Sequence, residues 1–176
     1  VDGLVGSEMC IRDRKWIAYD DLEYNMYILD IKTGESKKIS TNNEGIRDFS
    51  WSPDSKWLAF VQTAFNSMSQ IIVYNIKDES KFNLTTDRAN SFGVKWSRDG
   101  KFIYFLSDRS FTTLVGSPWG TRQPEPYWDA SEKLYHVSLE KGTRSPFRED
   151  DELMEKSEDK KQKNKENKVV VSIDKE

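Results

Sequence analysis

Short runs rich in aliphatic and aromatic residues recur along the chain at nearly regular intervals. Three related runs begin 41 and 45 residues apart, at Lys15, Lys56 and Lys101. Their sequences are KWIAY, KWLAF and KFIYF. Short apolar runs bounded by turn residues predict β-strands rather than helices. Their recurrence at a spacing of roughly 40–45 residues predicts a repeat architecture.

Each of these runs is accompanied by further predicted strands in the same relative positions. A second run follows, from Met26, Ile71 and Leu134, and a polar turn such as Lys-Thr-Gly or Lys-Asp-Glu comes after it. Before the second and third runs lies another strand, from Ile46 and Phe92. The chain is therefore predicted to contain three copies of one unit, over residues 15–40, 46–85 and 91–147.

Within a unit, turn residues and apolar runs indicate several short antiparallel strands. The turns at 53–55 and 98–100 contain Asp54 and Asp99. We interpret both as turn residues rather than as paired catalytic carboxylates, because an aspartate in a turn readily bonds its own backbone. The run Trp57–Phe60 is apolar on both faces, which a strand tolerates when it is covered above and below. About four antiparallel strands per unit predict an all-β chain with the β-propeller fold, here about three four-stranded blades of an incomplete ring.

The two ends of the chain depart from this pattern. Residues 1–14 lack the features of a secretory signal and resemble a translated sequencing-adapter leader, so we predict a non-native leader there. Residues 148–168 are nearly all charged or amide residues, which predicts a disordered linker because little apolar surface offsets the entropy of ordering. Residues 169–176 are predicted to be the first strand of a truncated following domain.

Composition and charge argue against several classes of function. The formal net charge of the 176 residues is −3 and the two signs are interspersed, which argues against nucleic acid as a partner. No stretch approaches the roughly 20 apolar residues of a membrane span. Cys10 and His136 are the only cysteine and histidine, so we expect no metal site and no other cofactor.

Several motifs of the repeat resemble those of known propellers. The stretch WSPDSKWLAF from Trp51 resembles the TolB/WD-like propeller repeat. The run 101–111, the insertion after it, the strand 134–139 and the closing Ser-Pro-Phe at 145–147 resemble the last blades of the first, N-terminal propeller of a tricorn-type serine peptidase. The resemblance covers residues 15–152. Ser55 and Arg98 depart from the usual Gly and Pro of the turn.

This resemblance implies a non-catalytic role within a larger peptidase. Tricorn-type enzymes degrade oligopeptides and combine two propellers, which act as filters or channels, with a PDZ-like domain and a catalytic region. The implied partners are peptides or unfolded polypeptide, bound through the parent enzyme, and the other domains of the parent chain. A homo-oligomeric parent is also implied. The resemblance implies a cytoplasmic protein, while a periplasmic or secreted one stays open because the true N-terminus is predicted to be missing.

No residue of the chain is predicted to be catalytic. His136 is the one candidate imidazole, and it aligns with Ile28 and Val73 of the other units, so we interpret it as a core or edge histidine. No serine lies in a Gly-x-Ser-x-Gly elbow. We therefore expect the chain to gate or bind peptides for a catalytic domain outside it. The alternatives are a stand-alone TolB-like propeller that binds proteins or ligands, and a propeller ahead of a prolyl-oligopeptidase-type hydrolase domain.

Two groups of residues are candidates for contact with substrate or with another domain. Asp108 and Arg109 end a predicted strand, where they can contact a peptide terminus or tie neighbouring loops together. An irregular insertion at 110–131 carries the other candidates, which are Phe111, Trp119, Arg122 and Trp128. Loops on a rigid scaffold frequently carry binding residues. Packing over a neighbouring blade or domain is the alternative.

Overall fold

The structure is built from β-strands. A computed structural model describes residues 9–12, 15–42, 44–110, 112–114, 127–130, 132–149 and 171. These residues form thirteen strands and no helix, so the predicted all-β class is confirmed. In this described part of the chain, no helix of the length and apolarity needed to cross a membrane occurs.

The first sheet has four antiparallel strands in the order β1-β2-β3-β4. They are β1 (Met9–Arg12), β2 (Trp16–Asp20), β3 (Asn25–Asp30) and β4 (Ser36–Thr41). The whole of β1 pairs with β2. The expectation that residues 1–14 lie outside the strand pattern is therefore wrong for β1. A physical reason is that the edge of β2 offers backbone groups that an extended neighbouring segment can satisfy.

The second and third units form two further sheets. The second contains β5 (Ile46–Trp51), β6 (Trp57–Thr63), β7 (Ser69–Asn75) and β8 (Lys81–Asn83), in that order. The third contains β9 (Ser91–Trp96), β10 (Phe102–Ser107) and β13 (Lys133–Ser138), in the order β13-β10-β9. Between β10 and β13, the strands β11 (Thr112–Leu114) and β12 (Tyr127–Ala130) form a separate pair. The predicted blade architecture is confirmed, with three strands rather than four in the described part of the third sheet.

The predicted ends of the units can be compared with the sheets. The three sheets span residues 9–41, 46–83 and 91–138. After β13 the chain forms turns up to residue 149 instead of an outer strand. Most of the predicted linker 148–168 and of the predicted strand 169–176 lies outside the described residues. Val171, which is described, packs against the apolar cluster between the second and third sheets.

Two apolar clusters hold neighbouring sheets together. The first cluster joins the first and second sheets and contains Met26, Leu58 and Phe60. The second cluster joins the second and third sheets and contains Ala59 and Ile103. Successive residues of β6 thus enter different clusters, because side chains alternate between the faces of a strand. The second sheet is buried on both faces, as the apolar run in β6 predicted.

Hydrogen bonds also connect the first strands of the second and third sheets. The Gly93 amide donates to Asp48 Oδ2 at 2.7 Å, and the Trp96 amide donates to Ser50 Oγ at 3.1 Å. Asp48 and Gly93 occupy equivalent positions with φ of 57° and 65°. Both lie where the pairing with the next strand shifts register. The Gly93 amide in the bulge of β9 is therefore satisfied by the Asp48 carboxylate in the bulge of β5.

The turn before the second strand of each unit is nearly the same in the second and third sheets. Ser52 Oγ donates to Asp54 Oδ1 at 2.7 Å, and Ser97 Oγ donates to Asp99 Oδ1 at 2.6 Å. Ser55 adopts a φ of 57°, a conformation for which glycine is usual. The structural role predicted for both aspartates agrees with these bonds.

Candidate functional site

The predicted contact residues all fall in the segment that follows β10. This segment starts at the end of the sheets where β2, β6 and β10 finish. We call this end the upper rim, and it also includes the β2–β3, β4–β5, β6–β7 and β8–β9 loops. Exposed apolar side chains stand on two of these loops: Leu22 is 75% exposed, Tyr24 is 46% exposed and Phe65 is fully exposed. Large exposed apolar side chains grouped on one surface are typical of contact surfaces.

Asparagine side chains connect neighbouring loops of the upper rim. Asn42 Nδ2 donates to the Thr63 carbonyl at 2.9 Å, which links the β4–β5 loop to the end of β6. Asn66 Nδ2 donates to the Asp87 carbonyl at 2.8 Å, which links the β6–β7 loop to the β8–β9 loop. In each bond, the side chain of one loop holds the backbone of its neighbour. The upper rim is therefore a connected surface rather than a set of independent loops.

Asp108 anchors the β8–β9 loop to the end of β10. The Asn90 backbone amide donates to Asp108 Oδ1 at 2.9 Å, and Asn90 Nδ2 donates to Asp108 Oδ2 at 2.8 Å. Asn90 Oδ1 in turn accepts from the Ser69 amide at 3.0 Å. Both carboxylate oxygens are thus engaged in tying neighbouring loops together. This is the structural alternative considered for the Asp-Arg pair.

Arg109 is fixed at the same point, and the residue is exposed. Arg109 Nε donates to Ser107 Oγ at 3.1 Å, and Nη2 donates to Ser91 Oγ at 3.2 Å. The guanidinium carbon lies 5.2 Å from the ring centre of Phe105 and 5.0 Å from that of Tyr135. A guanidinium has five N–H donors, and these two bonds use two of them. Within the described residues, Arg109 is an oriented cation with donors to spare.

A groove of about 400 Å³ lies beside Arg109 on the upper rim. It runs between the second and third sheets, and its lining residues are Met68, Thr86, Arg88, Ala89, Asp108 and Arg109. Two arginines and one carboxylate line it, and both oxygens of that carboxylate already accept hydrogen bonds from Asn90. The groove is therefore suited to an anionic group that has an apolar part to place near Met68.

A second hollow adjoins the groove on the other side of the β8–β9 loop. It has a volume of about 470 Å³, and Phe65, Gln70, Leu84 and Thr86 are among its lining residues. Thr86 lines both spaces. Together they extend from Arg109 on the third sheet to Phe65 on the second. Their combined lining therefore includes both an oriented cation and an exposed aromatic ring.

The insertion after β10 is more regular than predicted where it can be described. β11 and β12 pair antiparallel, with Thr112 opposite Ala130 and Leu114 opposite Tyr127. Trp128 belongs to β12, and nothing further is described of its side chain. Phe111, Trp119 and Arg122 lie outside the described residues. Backbone pairing at the base of a long insertion satisfies donors and acceptors that an irregular loop would leave to water.

His136 lies within the third sheet and away from the groove. It sits opposite Tyr104, in the register that Ala18–Ile28 and Ala59–Val73 show in the other sheets. Its ring centre is 5.5 Å from those of Phe102 and Phe147. The interpretation as a core or edge histidine agrees with these contacts. In the part of the chain that is described, no cluster of three or more potential metal ligands occurs.

Sequence reasoning found Asp108 and Arg109 but missed the other side of the groove. Arg88 and Met68 reach it from loops of the second sheet, about 20 and 40 residues earlier in the chain. Aligning the loops of the three units would have placed both residues on the same rim as Arg109. Their convergence on one groove depends on how neighbouring sheets pack, which no local pattern reveals.

Comparison with known proteins agrees with this architecture. The family model of the tricorn protease second beta propeller domain matches residues 2–176. The tricorn protease of Thermoplasma volcanium is 27% identical over 105 residues, which are 56% of this chain and 10% of that protein. Tricorn protease homolog 1 of Streptomyces coelicolor is 27% identical over 140 residues, or 77% of this chain and 12% of that protein. The chain spans about a tenth of the length of these curated relatives.

A solved structure has the same fold. The crystal structure of the tricorn protease aligns with a TM-score of 0.67 at 22% identity, over 75% of this chain and 13% of that chain. The predicted resemblance to a tricorn-type propeller is confirmed. The family that matches describes the second propeller, so the placement in the first, N-terminal propeller is corrected. With nearly all of its length matched, this chain belongs to the family of tricorn protease second β-propeller domains.

Proposed function

We propose that this chain is a non-catalytic propeller segment of a tricorn-like serine protease, and that it gates or binds peptide substrates for a catalytic domain outside the chain. The observation that carries the proposal is the fixed guanidinium of Arg109 in a groove that bridges two sheets. Family membership supports a peptidase as the parent. Substrate binding by this segment is our inference from the groove.

The chemistry of the groove favours a peptide that presents its carboxylate to Arg109. An arginine can bind a carboxylate through two parallel hydrogen bonds, which are stronger than bonds between neutral groups. Arg88 adds a second positive charge to the same groove. Stacking of Arg109 on Phe105 and Tyr135 restricts its side chain before a ligand arrives. Less conformational entropy is then lost on binding.

The length of the upper rim suits an extended peptide rather than a compact ligand. From the groove, the hollow beside Phe65 continues across the second sheet. We include the predicted contact residues of the insertion, Phe111, Trp119, Arg122 and Trp128, in the proposed contact region. In this arrangement the groove fixes one end of the peptide, and apolar side chains contact Phe65 further along.

A pair of peptides that differ only at the C-terminus tests this proposal. Anisotropy of a fluorescent, N-terminally labelled hexapeptide with apolar side chains is measured against the 176-residue chain, once with a free carboxylate and once with an amide. Loss of a charge-assisted hydrogen-bond pair predicts about tenfold or greater weakening for the amide. Equal affinity of the two peptides would contradict carboxylate recognition.

Arginine variants locate the binding within the chain. Arg109→Gln and Arg88→Gln should each weaken binding of the acid peptide and reduce its preference over the amide. Arg98→Gln is the matched control, since Arg98 is an exposed arginine in the turn at the opposite end of the third sheet. An Arg109→Gln variant with a native near-ultraviolet circular dichroism spectrum and unchanged affinity would exclude the groove as the binding site.

A further inference from the structure

A second cavity lies at the opposite end of the first and second sheets. It has a volume of about 220 Å³, and apolar side chains form its floor. These residues are Trp16, Ile28, Ile39, Tyr74 and Ile76. They come from the start of β2, from β3 and β4, and from the end of β7 and the residue that follows it. We call this space the lower cavity, and it shares no lining residue with the upper-rim groove.

Tyr74 brings a polar group to this apolar floor. Its side chain belongs to the first apolar cluster and the residue is only 5% exposed. Burial raises the pKa of Tyr74 above its ordinary value, and a tyrosine hydroxyl is in any case protonated at neutral pH. Among the described residues, the hydroxyl has no hydrogen-bond partner. The hydroxyl is open to the cavity rather than sealed in the core, so it can donate a hydrogen bond to, or accept one from, a polar group of a ligand there.

The charged residues around the lower cavity are mostly acidic. Asp30, Glu35 and Glu79 supply three carboxylates, and Lys37 supplies one ammonium group. Lys37 Nζ and Glu79 Oε1 form an ion pair in which both side chains are more than half exposed. The pair therefore stands at the solvent side of the cavity and leaves two carboxylates without a compensating lysine in its lining. Lys15 lies outside the lining but beside Trp16, so three carboxylates face two lysines, and the remaining negative charge at the mouth favours a cation.

The Trp16 ring already has an ammonium group of the chain itself over one face. Lys15 Nζ, which is not part of the lining, lies 5.3 Å from the centre of this ring. Aromatic faces attract ammonium groups through their quadrupole. An apolar floor, a tyrosine hydroxyl and an acidic mouth together match a molecule with a positive head and an apolar body.

We propose that the lower cavity binds a primary ammonium group attached to an apolar side chain. An apolar cavity of about 150 Å³ can hold benzene, so the lower cavity is large enough for the side chain of leucine or phenylalanine. The ammonium group then lies among Asp30, Glu35 and Glu79, and it or a neighbouring polar atom reaches the Tyr74 hydroxyl. This site is independent of carboxylate binding at the upper rim.

The same chemistry occurs at the N-terminus of a peptide and in a free amino acid, and the probes separate these sources. Leucine amide, N-acetyl-leucine amide, free leucine and Leu-Gly-Gly are titrated into the ¹⁵N-labelled chain while the Trp16 indole signal is followed. Assignment comes from a Trp16→Phe spectrum. Leucine amide and Leu-Gly-Gly should shift the signal saturably. The acetylated amide should bind at least about tenfold more weakly because it lacks the charge.

The result for free leucine decides the source of the ligand. Its carboxylate adjoins the ammonium group and meets the acidic mouth, so we expect weaker binding than for Leu-Gly-Gly, which carries its carboxylate two residues away. Tighter binding of free leucine would assign the site to free amino acids instead of peptide N-termini, and equal binding would show that the site accepts both. Equal binding of the free and acetylated amides, or no saturable shift with any probe, would overturn the proposal.

Single substitutions separate recognition of the charge from folding. Glu79→Gln removes one exposed carboxylate and should weaken binding of leucine amide about two- to fivefold, the range typical of exposed charge pairs. Glu23→Gln, an exposed glutamate on the upper rim, should leave binding unchanged. Tyr74→Phe keeps the ring and removes the hydroxyl, and it should also weaken binding. If Glu79→Gln and Tyr74→Phe both bind as the unaltered chain does, the inference is wrong.

Discussion

Two phenylalanines five residues apart provide a direct test of how the sheets are held together. Phe60 lies in β6, is fully buried, and belongs to the cluster between the first and second sheets. Phe65 lies in the following loop and is fully exposed. Both are replaced by alanine in separate variants. Because the residue type and the chain segment are the same, the difference between the variants reports burial alone.

The expected magnitudes follow from this burial. Burying a phenylalanine side chain contributes about 1.5–3 kcal/mol, and truncation leaves a cavity, so Phe60→Ala should lower the free energy of unfolding by about 3–5 kcal/mol. Phe65→Ala should change it by no more than about 0.5 kcal/mol. A milder variant, Phe60→Leu, should fall between them. It keeps the comparison measurable if the alanine variant unfolds completely.

Urea unfolding followed by tryptophan fluorescence at low micromolar protein measures these differences. With a denaturant slope of about 2 kcal/mol per molar urea, the Phe60→Ala midpoint should fall by about 1.5–2.5 M while the slope stays unchanged. The Phe65→Ala midpoint should stay within a few tenths of a molar. Equal losses for Phe60→Ala and Phe65→Ala would refute the packing of β6 between two sheets.

Three further predictions follow from the structure. Burial tends to raise the pKa of Asp99, but hydrogen bonds from Ser97 and Lys101 hold it below its ordinary value. The unaltered chain should therefore be more stable than Asp99→Asn well above about pH 4, and it should lose this advantage as the pH falls through the lowered pKa. Urea midpoints measure the difference, and an advantage that grows with acidification would contradict the prediction. The chain should hydrolyse neither peptide nor ester substrates, and turnover abolished by a serine-directed covalent inhibitor would contradict this prediction. On the outer face of the third sheet, Leu134 is 55% exposed and Phe147 is 62% exposed. Light scattering after size-exclusion chromatography should therefore show concentration-dependent association, and Leu134→Lys should reduce it. A monomer at every concentration would contradict this prediction.

Much of the fold could be predicted because its signals are local. The apolar runs at Lys15, Lys56 and Lys101 mark the second strand of each sheet, and the serine–aspartate turns before two of them recur in the structure. The prediction failed where strand pairing depends on which segments lie close together in space rather than on the local sequence. β1 joins the edge of β2 although its sequence does not follow the repeat, and residues 139–149 form turns where an outer strand was expected.

The candidate site could be predicted only in part, for a related reason. Asp108 and Arg109 stand out because charged residues end an apolar strand. Nothing near Arg88 in the sequence indicates that it faces Arg109 across a groove, since that depends on the spacing of two sheets. Tyr74 likewise has the pattern of a core residue, and only the structure places it beside Lys37 and Glu79. Local patterns identify strands, whereas cavities arise between them.

Photo-crosslinking tests the central claim, peptide binding by this propeller segment, most directly. An apolar hexapeptide with a free carboxylate and a benzophenone side chain near its C-terminus is irradiated with the 176-residue chain, and the modified residues are mapped by mass spectrometry. The account predicts crosslinks at the groove, on Met68 and its neighbours in the β6–β7 and β8–β9 loops, and their loss in Arg109→Gln. Crosslinks confined to the outer face of the third sheet, or unchanged in Arg109→Gln, would contradict it.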